Sequence, residues 1–494
     1  VQQTMVGLPE GDYVLEMDAI TVNQNTGVEV KGVYMFASGQ KEAMLPLNTG
    51  NGRPEHFTLN FTLEGDELTI GVKIPEETNA NWVAFDNVKL VYKGSFEIED
   101  NLAKLVINEI QTTNIDQFID PSVNYGGWVE LYNPTQMPLN IGGMIVSDDL
   151  GHSFQLPISA GIVKAGGFKN LWFDHNSSDG KYSTEAYKQV AFKLKYEGGV
   201  IRLSNANGKE LLSQSYPPAV QRTSYARTVD GGDTWRLTGT PTPEASNNGS
   251  TYADTQLPMP EVDQDAKLFT SPFTFHVTIP QGATLRYTTD GTTPTLENGS
   301  TSINGSFYVD ANAVYRFRLF QNGFLPSSVV TRTFIYKDKD YYLPIVSVVT
   351  DPRNLYDDVI GANTIGTNGI SGQGVSYKTN RNRAWERPVN FEYLVPDEAD
   401  GGSFRMALNQ ECDYEICGGW SRNFYNDIGS SFRLKGGKYY LGQNFLPYPF
   451  FEDKPYIKNK TIMVRNGGNN GYSRIKDAGI HECIIKSGFN LDCQ

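Results

Sequence analysis

The chain has 494 residues and a formal net charge of -14, from 42 Lys and Arg against 56 Asp and Glu. At roughly 100–200 residues per domain this length calls for about three to five domains, and an acidic surface without a basic stripe argues against nucleic acid or anionic lipid as partners. The 27 Tyr and 26 Phe among 49 Gly and 25 Pro favour strands and tight turns over helices, and no run of about 18 apolar residues is available to span a membrane.

Residues 1–97 open with Gly7-Leu8-Pro9-Glu10-Gly11-Asp12-Tyr13-Val14-Leu15, a turn feeding an alternating strand. Val33-Tyr34-Met35-Phe36, Phe57-Thr58-Leu59-Asn60-Phe61 and Leu68-Thr69-Ile70-Gly71-Val72 predict further strands, and Trp82-Val83-Ala84-Phe85-Asp86-Asn87-Val88-Lys89-Leu90 closes the set. Short strands with polar turns predict an antiparallel sandwich. The Gly-Leu-Pro-x-Gly-x-Tyr opening and the Trp-x-x-Phe-Asp-Asn-Val ending resemble galactose-binding-like jelly-roll modules. That resemblance implies carbohydrate binding, with Tyr34 and Trp82 as candidate stacking rings, and a structural calcium held in part by Asp86, an ion that needs several oxygen ligands. The plainer alternatives are a core Trp82 and a solvated or backbone-bonded Asp86.

Residues 104–248 carry Leu105-Val106-Ile107-Asn108-Glu109-Ile110, then Trp128-Val129-Glu130-Leu131-Tyr132-Asn133-Pro134, Ser147-Asp148-Asp149 and Gly198-Gly199-Val200-Ile201-Arg202-Leu203. The Trp128 string alternates and then stops at Pro134. In this order the series resembles the lamin-tail domain, an immunoglobulin-like sandwich, which implies interaction or spacing and not catalysis. On that reading Glu109, Glu130 and Asp149 are turn and strand-edge residues. Residues 249–262, with Pro258 and Pro260, form a polar linker.

Residues 263–336 centre on Leu285-Arg286-Tyr287-Thr288-Thr289-Asp290-Gly291-Thr292-Thr293-Pro294-Thr295, where Asp-Gly turns the chain between two strands. Val314-Tyr315-Arg316-Phe317-Arg318-Leu319-Phe320 is an alternating strand and residues 328–336 another. The Tyr-Thr-x-Asp-Gly-Thr-x-Pro-Thr string resembles the small accessory sandwich at the C-terminus of chitobiases. Asp290 therefore reads as a turn former; no second carboxylate is placed to make a glycosidase pair.

Residues 341–494 contain Leu343-Pro344-Ile345-Val346-Ser347-Val348-Val349, Asn354-Leu355-Tyr356-Asp357-Asp358, Trp385-Glu386-Arg387-Pro388-Val389-Asn390-Phe391, Gly418-Gly419-Trp420-Ser421-Arg422, Ser431-Phe432-Arg433-Leu434-Lys435 and Val464-Arg465-Asn466-Gly467-Gly468-Asn469. In this order the six strings resemble the CotH family of atypical, spore-coat-type kinases, which use ATP and Mg. Alternation puts Arg433 and Lys435 on one face, a candidate nucleotide-phosphate site, and Asp477, three residues after Arg474, is the candidate helical carboxylate. Such kinases place their catalytic groups in a later helical lobe, which the chain stops short of, so no catalytic residue is assigned and the fragment is expected to be inactive.

Other chemistry lacks parts. The five histidines are scattered, and Asp174-His175, the nearest to a catalytic pair, falls in a loop. Cys412, Cys417, Cys483 and Cys493 have no common zinc spacing; free thiols are the plain reading and a Cys483–Cys493 bridge the alternative. Residues 1–6 read as a strand already under way and Gln494 follows a helix-like run, so both ends are expected to be cut, with a signal or lipid anchor upstream. The expected class is mainly β: tandem antiparallel β-sandwiches (jelly-roll, immunoglobulin-like lamin-tail, small immunoglobulin-like) followed by a partial α+β kinase-like N-terminal lobe. The short linkers predict a semi-rigid rod. The functional expectation is a secreted or cell-surface protein that meets glycans or other surface proteins and is attached to a kinase domain; the alternative is a carbohydrate-binding or adhesion protein without catalysis.

Overall fold

A computed structural model of the protein describes all residues except 26–27, 40–41, 50–52, 95–100, 158–159, 174–188, 373–374, 398–402, 420–421, 423–428, 442–443, 452–453, 455, 468–474 and 490–494. Asp174, His175, Trp420, Ser421, Arg474 and Cys493 thus lie outside the described residues. The architecture is mainly β, as expected, and nearly every strand pair is antiparallel.

At the N-terminus a four-stranded sheet, in the order Gln2–Val6, Glu67–Lys73, Tyr34–Ser38 and Glu42–Pro46, lies against a three-stranded one made of Glu55–Leu63, Gly11–Val22 and Trp82–Gly94. The central strand Gly11–Val22 explains the pairing. Tyr13, Leu15, Met17 and Ala19 alternate inward and meet Met35, Ala37, Leu68 and Val72 from the other sheet. Trp82, registered opposite Val22, is 53% exposed, so the core alternative for this ring is corrected: it sits on the outward phase of its strand.

The next stretch builds a six-stranded sheet in the order Gln189–Val190, Phe168–Phe173, Trp128–Tyr132, Val106–Gln111, Ser224–Arg227 and Trp235–Thr238. It packs on a four-stranded sheet of Ser153–Gln155, Ile145–Asp148, Gly199–Ser204 and Glu210–Tyr216 through Val129, Leu131, Val146, Ile201 and Leu203. The third unit has a five-stranded sheet, Lys267–Phe269, Val330–Tyr336, Ala313–Phe320, Thr284–Thr288 and Ser300–Ser302, over a two-stranded sheet of Phe273–His276 and Ser306–Val309. Phe275, Phe317 and Phe334 fill its core. Asp290 is the turn former the sequence predicts: its Oδ1 accepts from the Thr292 N–H at 3.0 Å and hydroxyl at 2.6 Å. The last unit is a five-stranded sheet of Ile345–Val349, Glu386–Asp397, Ser403–Ile416, Phe432–Lys435 and Thr461–Val464, with the short helix Arg353–Tyr356 beside it and the exposed helix Lys476–Lys486 after it.

The units do not follow one another as beads. Residues 249–262 are packed: Leu257 is buried in the third core, and single β-bridges join Thr238 to Tyr252, Gln256 to Leu325 and Val262 to Val277. The second unit also touches the fourth directly. Trp385, 1% exposed, donates its indole N–H to the Ser122 carbonyl at 2.9 Å, and the Tyr125 hydroxyl donates to Asn354 Oδ1 at 2.6 Å. A rod in sequence order would keep those two units apart, so that expectation is corrected. The linker is polar and short, but Ala253 and Leu257 are buried and its β-bridges fold the chain back.

Candidate functional site

Where the second, third and fourth units meet, five charged side chains are buried together. Arg222 is 1% exposed and at φ +57°, a left-handed conformation uncommon outside glycine. Its Nε and Nη2 donate to the two oxygens of Asp116 at 2.7 and 3.0 Å, and Nη2 and Nη1 donate to Glu411 at 2.5 and 3.3 Å. Arg316, from the strand Ala313–Phe320, donates through Nη2 to Glu411 at 3.4 Å and through Nη1 to the Gly291 carbonyl at 3.0 Å and the Thr293 hydroxyl at 2.8 Å. The Thr293 hydroxyl in turn donates to Asp116 at 2.5 Å. Each unit therefore contributes to one network: Asp116 and Arg222 from the second, Thr293 and Arg316 from the third, Glu411 from the fourth.

The electrostatics follow from burial. Burial works to raise the Asp116 carboxyl, but the Arg222 and Arg316 charges outweigh it and hold it well below the ordinary carboxylate range. For Arg222 burial works to remove the proton, and the Asp116 and Glu411 carboxylates reverse that. Arg318, two residues beyond Arg316 and on the same face, is the third buried cation. Burial, with the Arg222 charge adding to it, lowers its guanidinium to about 9.

The network forms one wall of a cleft of about 610 Å³ lined also by Phe118, Tyr125, Thr292, Asn298 and Arg353. A second cleft of about 670 Å³ adjoins it and is lined by Tyr252, Gln321, Asn322, Phe324 and others. Gln117, Phe118, Thr295, Glu297 and Arg318 line both.

The residues singled out from sequence lie elsewhere and in three places. Arg433 and Lys435 do share a face: Lys435 Nζ is 2.7 Å from Glu386 Oε1 and pairs with Glu415, while Arg433 Nη1 is 3.7 Å from the same Glu415. Burial works to lower the Lys435 ammonium, and the two carboxylates raise it instead. Both cations thus have strand carboxylates as partners. Asp477 is not brought to them; it pairs with Arg465 at the exposed start of its helix. Tyr34 and Trp82 belong to opposite sheets of the first sandwich. Asp86 is exposed, and its Oδ1 accepts the Asn87 N–H at 2.8 Å. Asp18 lies opposite it in register, but the Asp18 oxygens already meet His56 Nδ1 and Asn87 Nδ2 at 2.7 Å each. Among the described residues no three His, Cys, Asp or Glu gather for a metal, and this donor set does not fit the several oxygens a calcium ion takes.

Glu109 and Glu130 are not turn or edge residues. They face each other across interior strands of the six-stranded sheet and are fully buried. Burial pushes the Glu109 carboxyl up to about 7 and the Glu130 carboxyl up to about 9. Ser224 and Thr242 hydroxyls donate to Glu109, and Asn108 Nδ2 donates to Glu130 Oε1 at 3.1 Å. Cys412 and Cys417 are buried free thiols and Cys483 an exposed one.

The junction was not foreseen from the sequence. Its one readable signal was the phase of the Ala313–Phe320 strand, where Phe317 and Leu319 face the core and Arg316 and Arg318 the other side. Residues 276–334, which include both arginines and the Asp290-Gly291 turn, match the Fn3-associated family. Comparison with curated proteins finds no match. The chain is a multidomain β protein containing an Fn3-associated domain.

Proposed function

We propose that the chain is a multimodular binding protein of the cell exterior, in which packed β units present a recognition cleft at their junction. The observation that carries this reading is the Asp116–Arg222–Glu411–Arg316 network. It ties three units together at the wall of the cleft, and packed modules hold a site in one geometry without ordering cost on binding. Among the described residues no helix is long and apolar enough to cross a membrane. The lamin-tail and chitobiase-type resemblances of the second and third units fit an accessory role of this kind. The test is a combined glycan and peptide array probed with the whole chain and with Thr295→Trp, which fills the wall shared by both clefts. Hits that vanish in the variant support the reading; an array without hits, or hits indifferent to the variant, contradicts it.

A phosphate-handling role for the fourth unit, as its CotH resemblance implies, is the second reading. What favours it is the convergence of Arg433 and Lys435 on Glu415. A nucleotide phosphate would have to compete with Glu386 and Glu415 for these cations, so weak Mg-ATP binding without phosphoryl transfer is the expected outcome. Calorimetry and a phosphotransfer assay check it, and absence of Mg-ATP binding would contradict it.

A further inference from the structure

Arg318 is 5% exposed, and among the described residues only its Nε finds an acceptor, the Ser327 carbonyl at 2.9 Å. Its guanidinium carbon lies 5.4 Å from the Phe320 ring centroid. No carboxylate lies within 4.0 Å of it among the described residues, whereas Arg222 and Arg316 on the same wall both reach Glu411. The buried charges therefore do not balance: three guanidinium groups stand against Asp116 and Glu411. A buried cation without a counter-ion is costly, and the outer nitrogens of an arginine form a fork that matches a carboxylate.

Arg318 lies on the wall common to both clefts, so a group bound to it reaches into either. The surroundings select what carries the charge. Thr292, Thr295, Asn298, Gln321 and Asn322 offer neutral hydroxyls and amides, and Phe118, Tyr252 and Phe324 offer rings. Glu297 and Asp351 also line the first cleft and outnumber its further cation Arg353, and the whole chain is at -14; both oppose ligands with several negative charges. One carboxylate on a polyhydroxylated, partly apolar body meets all of these conditions.

We propose that the junction clefts bind a uronic-acid-type oligosaccharide, with the outer nitrogens of Arg318 holding one sugar carboxylate. This deepens the binding reading above and rests on it.

The experiment is calorimetric titration of the whole chain with a xylotriose bearing a single glucuronic acid, with the methyl ester of that acid, and with an end-capped tripeptide carrying a single Glu. The free acid is expected to bind at least ten-fold tighter than the ester and tighter than the peptide. Arg318→Gln is expected to abolish the preference for acid over ester. Phe324→Ala, which removes a 40% exposed ring from the second cleft, is expected to weaken both sugars about three-fold. Equal affinity for acid and ester overturns the carboxylate assignment and leaves the binding reading standing. Tighter binding of the peptide overturns the saccharide. Absence of binding by every probe overturns this proposal and counts against the binding reading too. The acid–ester comparison is made on the natural sequence, so it decides the matter even if Arg318→Gln does not fold.

Discussion

Replacing Glu411 by Gln removes one of the two negative charges that pair with the buried Arg222 and Arg316. Glu411 accepts N–H groups at 2.5 and 3.3 Å from Arg222 and at 3.4 Å from Arg316. Its side chain is 9% exposed and that of Arg222 1%, so the buried regime applies: breaking a buried pair from one side costs about 3–5 kcal/mol, against at most about 1 kcal/mol for a surface pair. At a urea dependence of about 2 kcal/mol/M, the midpoint of the transition that opens the junction should fall by about 2 M. Trp385 reports that transition, because its indole N–H reaches Ser122 across the same interface. The double variant Arg222→Met/Glu411→Leu removes both ends of the shortest contact and should lose less than the sum of the two single variants. A Glu411→Gln midpoint within about 0.25 M of the parent, or about 0.5 kcal/mol, would refute the reasoning, since the network would then behave as an exposed one.

Further expectations follow from burial and close contact. Glu109 and Glu130, raised by burial to about 7 and about 9, keep protons in the folded state that the unfolded chain gives up above about pH 4.5. Their stabilisation is therefore complete at low pH and lost as pH rises through 7 and 9, at about 1.4 kcal/mol per pH unit for each retained proton. Glu130→Gln should remove one such slope between pH 6 and 9, measured as the urea midpoint against pH. Gly291 sits at φ +85°, and a Cβ there would lie 2.3 Å from the Thr350 carbonyl of the fourth unit; Gly291→Ala should cost more than about 1 kcal/mol and perturb Trp385 emission at the junction. Tyr125→Phe strips the buried Asn354 Oδ1 of the donor it has at 2.6 Å, about 1–3 kcal/mol by the same denaturation assay. Cys412 and Cys417 are buried with thiols pushed up by that burial, so a thiol reagent should modify Cys483 in the native chain and reach these two only on unfolding.

Local structure was legible because it is written in short periods. Trp128–Tyr132, Thr284–Thr288 and Phe432–Lys435 are strands where alternation puts them, and Arg433 and Lys435 share a face as period two requires. The ion partners were not legible. Lys435 takes Glu386, 49 residues away, and Arg222 takes Glu411, 189 residues away; no local pattern encodes such pairs. Buried carboxylates misled for the same reason. Glu109 and Glu130 look like solvated strand residues until the second sheet and residues 224–247 close over them. The apolar residues of the 249–262 linker were too few to read as core, yet they decide that the modules pack.

The most direct test of the account is the distance between spin labels on the second and fourth units. Exposed Ser213 and Arg405 would be changed to Cys in a chain whose Cys483 and Cys493 are replaced by Ser, and the pair read by double electron–electron resonance. A single narrow distance distribution that broadens in Glu411→Gln is the expected result. A broad distribution in the parent chain, unchanged by Glu411→Gln, would mean that the buried charges do not hold these units together, and the junction cleft would not exist as a fixed site.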